Sequence, residues 1–237
     1  MMSNKAGFGR DVGEFLGSLG VTSQNNECGS GIRITAIVPH GDGCFEVRIS
    51  VSDGENGEKY KYVLLGEIVE RLELSIGSVD CELMPEIEYF SHVTRAYFSA
   101  CSSFAFAPSS FRGLERKLVQ KGFDADVARD AIGYIFSRGV VDEVEVAIRR
   151  LEIMLKKLWG MSRIMAKLRE EGFSAESLAS VDQYIANVDF SANCALLIEK
   201  KFGCLPSDRA ERDKMLASLS RYGYSMSEIK KAISILK

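Results

Sequence analysis

The side chains most able to do chemistry in this sequence are cations. Between Arg149 and Arg169, seven basic residues (Arg149, Arg150, Lys156, Lys157, Arg163, Lys167 and Arg169) meet one acid, Glu152, an excess of six charges over 21 residues. The whole chain of 237 residues carries 30 Lys+Arg against 33 Asp+Glu, a net −3. A local excess of that size in an acidic chain predicts contact with an anionic partner, the competing reading being a solvated face. At about 100° per residue, Arg149, Lys156 and Lys157 share one broad side of a helix, with Arg150 off it. Val146, Ile153 and Leu158 are then the core candidates opposite. In the next helix Arg163, Lys167 and Glu170 share a face, and Ile164 and Leu168 turn inward. Arg112, Arg116, Lys117 and Lys121 are expected to extend the same basic surface.

Other chemistries find no foothold. The only histidines are His40 and His92, too few for a His-based zinc site or a Ser-His-Asp triad. There is no P-loop, no G-x-S-x-G and no H-E-x-x-H motif. Gly7-Phe8-Gly9 and Gly41-Asp42-Gly43 lack the strand–helix setting of a nucleotide fingerprint and read as loops. Asp142 and Glu143 stand where a helix begins and read as dipole partners. Trp159 reads as a hydrophobic hinge, Tyr222 and Tyr224 as cap and packing residues. The expectation is a protein that is not an enzyme and holds no metal or cofactor. Six cysteines without a C-x-x-C pair read as reduced thiols, which suits a cytoplasmic location. No stretch reaches about 18 uncharged apolar residues, and no signal peptide is recognised.

The elements that must position the cations follow from periodicity. Residues 1–31 hold seven glycines and are expected to be a flexible tail, with a transient helix over Phe8–Leu19. Residues 32–86 form a small β-rich module. Its strands are Ile32–Val38, Phe45–Val51 and Tyr60–Leu64, with turns at Asp53-Gly54 and Asn56-Gly57 and a short helix over Leu65–Leu72. Pro85 marks the boundary to helical periodicity.

The second part repeats itself. Leu118 with Gly122-Phe123-Asp124 recurs as Leu168 with Gly172-Phe173-Ser174 and as Leu219 with Gly223-Tyr224-Ser225, the glycines 50 and 51 residues apart. Each copy ends a helix on a left-handed glycine, folds an aromatic back on the last turn and N-caps the next helix. Ser225 and Glu228 have capping-box spacing. The expected helices are 91–104, 109–121 and 125–137; 142–158, 161–171 and 175–187; 190–202, 207–221 and 226–236. They divide as repeats 87–138, 139–188 and 189–237, a mainly α chain of three tandem three-helix repeats in an elongated, curved array.

This pattern resembles the RecX family of RecA regulators over residues 32–237. Arg138-Gly139-Val140-Val141-Asp142-Glu143 looks like the family's step into a helix, and Trp159-Gly160-Met161-Ser162-Arg163-Ile164 with Lys167-Leu168-Arg169 and Gly172-Phe173 like its central segment. Leu114-Glu115-Arg116-Lys117-Leu118 with Gly122-Phe123 resembles its first repeat helix, and Gly223-Tyr224-Ser225 with Ile229 its ending. The chain departs from the family in 104–114, which lacks the usual arginines and Glu, and in Glu143 and Val146, where an Asp and an aromatic are usual. The resemblance implies a non-catalytic inhibitor. It would lie as a monomer in the groove of the RecA filament on single-stranded DNA and modulate ATP hydrolysis and strand exchange. A helical protein that binds single-stranded or duplex DNA directly, and a repeat scaffold for another partner, are the alternatives. No membrane partner is expected.

Overall fold

Alternating apolar residues in three successive segments build an antiparallel sheet. The computed structural model describes residues 31–53 and 56–236; residues 1–30 of the tail expected over 1–31, with its helix, and the turn at Gly54 lie outside them. β1 (Gly31–Gly41), β2 (Cys44–Asp53), β3 (Asn56–Leu65) and the two-residue β4 (Gly77–Ser78) lie in the order β3-β2-β1-β4. Gly31 pairs with Ser52 and so belongs to the sheet, one residue inside the expected tail. Asp42 and Gly43 both take positive φ in the turn between β1 and β2, the backbone a two-residue hairpin of this twist requires. Ile32, Ile34, Val47, Ile49 and Leu64 point to one buried face. A short helix, α1 (Gly66–Arg71), follows β3 directly.

That face is covered by α2 (Leu83–Phe106), whose Ile87, Phe90, Val93, Ala96, Tyr97 and Ala100 recur at helical spacing and are buried. The helix begins eight residues before the expected start and runs through Pro85. Proline sits in its first turn, where its missing N–H deprives no intrahelical bond. A boundary at 86/87 therefore falls inside α2. The sheet, α2, α3 (Phe111–Gln120) and α4 (Ala125–Ser137) share one continuous core from Ile32 to Val141. Arg138 ties it further: its guanidinium donates to Glu67 at 3.0 Å and to the Tyr97 hydroxyl at 3.3 Å.

A second core runs from Val146 to Ala232. It is built by α5 (Glu143–Lys156), α6 (Met161–Glu171), α7 (Ala175–Ile185), α8 (Phe190–Phe202), α9 (Arg209–Arg221) and α10 (Met226–Ile235). Phe104 packs against both cores. The three repeat glycines close their helices identically. Gly122, Gly172 and Gly223 have φ of 93°, 85° and 96°, and the amides of Phe123, Phe173 and Tyr224 donate back to Leu118, Leu168 and Leu219. This is the Schellman closure three times over. Ser174 caps α7, and Ser225 with Glu228 forms the expected capping box. Asp124 holds the cap position of α4 without a side-chain bond to it.

Ile153, expected in the core, is 45% exposed. It lies only about 40° around α5 from Arg149, among the cations. The buried side of α5 is Val146, Ala147, Leu151 and Met154. Leu158 lies beyond the helix with φ 55° and is half-buried.

Burial also separates the thiols. Cys44 and Cys194 are buried and Cys204 is exposed. Burial, with the nearby Glu228 charge, pushes the Cys194 thiol up to about 11. A maleimide pulse at pH 8 on the native protein, read by peptide mass spectrometry, is therefore expected to label Cys204 and spare Cys194 until denaturant is added. Equal labelling of both would contradict this packing.

Candidate functional site: two basic joints between helical units

The second helix of each repeat is set end to end with the next. The C-terminus of α6 meets the N-terminus of α3: Ser110, the N-cap of α3, donates its hydroxyl to the Glu171 carbonyl at 2.6 Å, and Arg116 donates to the same oxygen at 2.8 Å. The C-terminus of α9 meets the N-terminus of α6 in the same way. Gly160 N–H donates to the Tyr222 carbonyl at 2.8 Å and Ser162 N–H to the Gly223 carbonyl at 3.3 Å. Each joint sets the carbonyl end of one helix dipole against the amide end of another, a favourable alignment.

Both joints need a glycine. A Cβ on Gly172 would stand 2.8 Å from Arg112 Cβ, and one on Gly160 would stand 2.4 Å from the Gly223 carbonyl. At Gly122, the same corner in the first repeat, a Cβ would meet nothing within 4 Å.

The sequence-predicted cations gather at these joints in two groups rather than on one continuous face. At the α3–α6 joint Arg112, Arg116 and Arg169 line an open cleft of about 540 Å³ with Glu115 and Glu170. Arg150 reaches the same joint and pairs with Glu171 at 3.5 Å. Lys117 and Lys121 turn the other way, to the end of α2. Lys117 donates to the Ala107 carbonyl and Ser109, Lys121 to Ser99 and Ser103. α2 has no basic residue in its own last turn, and these lysines offset its dipole. Burial, with the charges of Arg150 and Lys121, holds the Lys117 ammonium below its ordinary range.

The second group lies at the α6–α9 joint, roughly 15 Å further along α6. Arg163 stacks 3.9 Å from the Trp159 ring centre and 5.4 Å from that of Tyr222, and Lys157 lies 5.9 Å from Trp159. The remaining cations are spent locally or stand apart. Arg149 pairs with Glu145 and Lys167 with Glu170 within their own helices, and Lys156 is exposed. Tyr224 packs as expected, buried and donating its hydroxyl to the Leu158 carbonyl at 2.9 Å. Trp159 is half-buried at the hinge between α5 and α6.

Sequence reasoning missed three roles. Tyr222 caps α9 and packs against the second core as expected, and it also presents its ring to cations. Lys201, outside the basic run, lies 4.7 Å from that same ring. Glu143 is a buried carboxylate, 5% exposed, that accepts from Phe111 N–H at 2.8 Å, Ser174 N–H at 3.1 Å and the Ser177 hydroxyl at 2.8 Å. It thus serves the amide ends of α3 and α7, not only the start of its own helix; Asp142 caps that start, accepting from Glu145. Among the described residues no group of three or more His, Cys, Asp or Glu is placed to hold a metal, and no helix is long and apolar enough to cross a membrane.

Comparison with known proteins settles the family. A regulatory protein RecX from Pelodictyon phaeoclathratiforme is 30% identical over 129 residues, covering 52% of this chain and 77% of the relative. The chain belongs to the RecX family. The RecX of Xanthomonas axonopodis pv. citri is 27% identical over 124 residues, 52% of this chain and 76% of the relative. The family's third three-helix domain matches residues 189–233. The fold agrees with that of a solved regulatory protein RecX at a TM-score of 0.64 and 15% identity, covering 86% of this chain and 99% of the other. The RecX of Lactobacillus salivarius aligns at 0.52 and 18%, covering 61% and 96%. Membership of RecX, whose named relatives are regulatory proteins, implies a regulatory role.

Proposed function

We propose that this chain is a non-catalytic regulator that binds the filament of a RecA recombinase on single-stranded DNA and lowers its ATP hydrolysis and strand exchange. The observation that carries the reading, beyond RecX membership, is the repetition of one joint. α3, α6 and α9 follow one another head to tail, with cations gathered at both junctions. A repeating basic surface suits a repeating acidic one, such as successive protomers of a filament with the DNA backbone between them. Several weak contacts held at fixed spacing then act together, so binding exceeds what any single contact supplies. Arg112, Arg116 and Arg169 present guanidinium groups to one cleft, the geometry suited to carboxylate or phosphate. Arg150 extends that contact from its pairing with Glu171 and Lys156 adds an exposed charge on α5, while Arg149, Lys167, Lys117 and Lys121 contribute charge from positions already paired or capping. The sheet with α1–α4 as one unit, and the helical units 139–188 and 189–237, act together as one cytoplasmic monomer, the sheet closing the array at its first end.

The test is single-stranded-DNA-dependent ATP hydrolysis by the cognate recombinase with this protein titrated in. The rate is expected to fall at ratios well below one per recombinase. Replacing Arg112, Lys156 and Arg169 together by Glu is expected to raise the amount needed for half-inhibition at least about tenfold. No inhibition up to equimolar protein would sink the reading. Unchanged inhibition by the triple variant would sink the site.

A further inference from the structure

The α6–α9 joint carries a strip in which cations and rings alternate: Lys157, Trp159, Arg163, Tyr222, Lys201, Phe202. Neighbouring members lie 5.9, 3.9, 5.4, 4.7 and 5.6 Å apart, cation to ring centre. The strip draws on three separate places in the chain. Lys157, Trp159 and Arg163 come from the α5–α6 hinge, Lys201 and Phe202 from the end of α8, and Tyr222 from the end of α9.

None of the ion pairs among the described residues includes Lys157, Arg163 or Lys201. These three cations lie against rings instead of carboxylates, Lys157 and Lys201 exposed and Arg163 half-buried. Lys201 is fixed further by donating to the Ser218 hydroxyl at 2.8 Å. All three rings are half-buried, so each keeps an open portion. The bonds from Gly160 N–H to the Tyr222 carbonyl and from Ser162 N–H to the Gly223 carbonyl fix the hinge and the end of α9 relative to each other.

We propose that this strip binds single-stranded nucleic acid directly, without the recombinase. Phosphates would meet Lys157, Arg163 and Lys201, and bases would stack on the open portions of Trp159, Tyr222 and Phe202. The alternation is what selects this ligand. A single strand presents phosphate and unstacked base in turn, and base–aromatic stacking with a positive track is how such strands are held. An acidic peptide would use the cations and leave the open portions of the rings uncovered. A duplex keeps its bases stacked within itself and would leave them equally unused. The inference stands apart from the filament reading, which needs no binding to free DNA and rests on the α3–α6 cleft as well.

Trp159 is the sole tryptophan, so the chain carries its own probe. Adding oligothymidylate to the full protein with no recombinase present is expected to quench its fluorescence saturably. Log affinity should fall with log salt at a slope of about −2, from three phosphate contacts on a single strand. Lys201→Gln, an exposed substitution, should reduce that slope by about 0.7. Tyr222→Leu should weaken binding about tenfold or more, and Tyr222→Phe should restore it, because stacking needs the ring and not the hydroxyl. The melting curve of each variant confirms that it folds. Equal quenching by polyglutamate or by a hairpin duplex would overturn the proposal, as would wild-type binding by both Lys201→Gln and Tyr222→Leu. Inhibition of the recombinase without any oligothymidylate binding would overturn it too, while leaving the filament reading standing.

Discussion

Gly223→Ala is expected to lower the midpoint of unfolding by roughly 10 °C, and Gly122→Ala by no more than a few degrees. The two glycines occupy the same place in their repeats and nearly the same backbone conformation, φ 96° and 93°. An L-residue in that region costs about 1–2 kcal/mol at either position. What differs is the neighbourhood. A Cβ at 122 enters open space, whereas one at 223 would stand 2.5 Å from both the amide nitrogen and Cβ of Arg163 and 3.0 Å from the Gly160 carbonyl. Those atoms belong to the first turn of α6 and its N-cap, and they cannot retreat without breaking the joint. The bonds from Gly160 to Tyr222 and from Ser162 to Gly223 would be lost. Together with the strain this amounts to about 3 kcal/mol or more.

Gly160→Ala separates the causes. Its φ of −78° suits any residue, so a loss there is steric alone, from a Cβ placed 2.4 Å from the Gly223 backbone. Fluorescence of Trp159 reports on the second core, in which it packs. Equal midpoints for Gly223→Ala and Gly122→Ala would show that the joint contributes nothing.

The contrast between these glycines also marks what was legible in the sequence. Gly122, Gly172 and Gly223 announce themselves because a left-handed helix stop, its aromatic and the following cap are all local chemistry. The three-helix units followed from them. Gly160 announces nothing: its backbone is ordinary, and the reason for glycine lies 63 positions away in Gly223. Ile153 reads as core when Val146, Ile153 and Leu158 alone define the face of α5. The small Ala147, buried beside Leu151 and Met154, defines it better. Pro85 reads as a break by composition, yet the first turn of a helix accepts it. The basic run was visible as charge, but its use was not. Periodicity could not show that Lys117 and Lys121 complete α2, or that Arg163 lies on two rings, because those partners come from other segments.

Glu143→Ala is expected to loosen the first helical unit from the second. Two of the donors that converge on this carboxylate, Phe111 N–H and Ser174 N–H, stand at helix beginnings, where backbone amides have no intrahelical partner. One oxygen serves Phe111, and the other serves Ser174 N–H and the Ser177 hydroxyl. Alanine removes every acceptor from a site that is 5% exposed, leaving donors that water reaches poorly. A cost of about 3–5 kcal/mol follows. Glu143→Gln keeps the shape and one acceptor but turns an amide NH₂ toward a backbone donor, so a smaller loss of about 2 kcal/mol is expected. Glu143→Asp is one methylene too short to span the gap and should resemble Ala more than Gln. Hydrogen exchange reads the mechanism directly: the amides of Phe111 and Ser174 should lose protection, while that of Glu145, capped by Asp142, keeps it. Unchanged protection at Phe111 and Ser174 in the Ala variant would show that the carboxylate bridges nothing. If the bridge fails as expected, the α3–α6 joint loses its brace. Cations on either side of it are then no longer held at fixed spacing, and filament binding should weaken even though no cation has been altered.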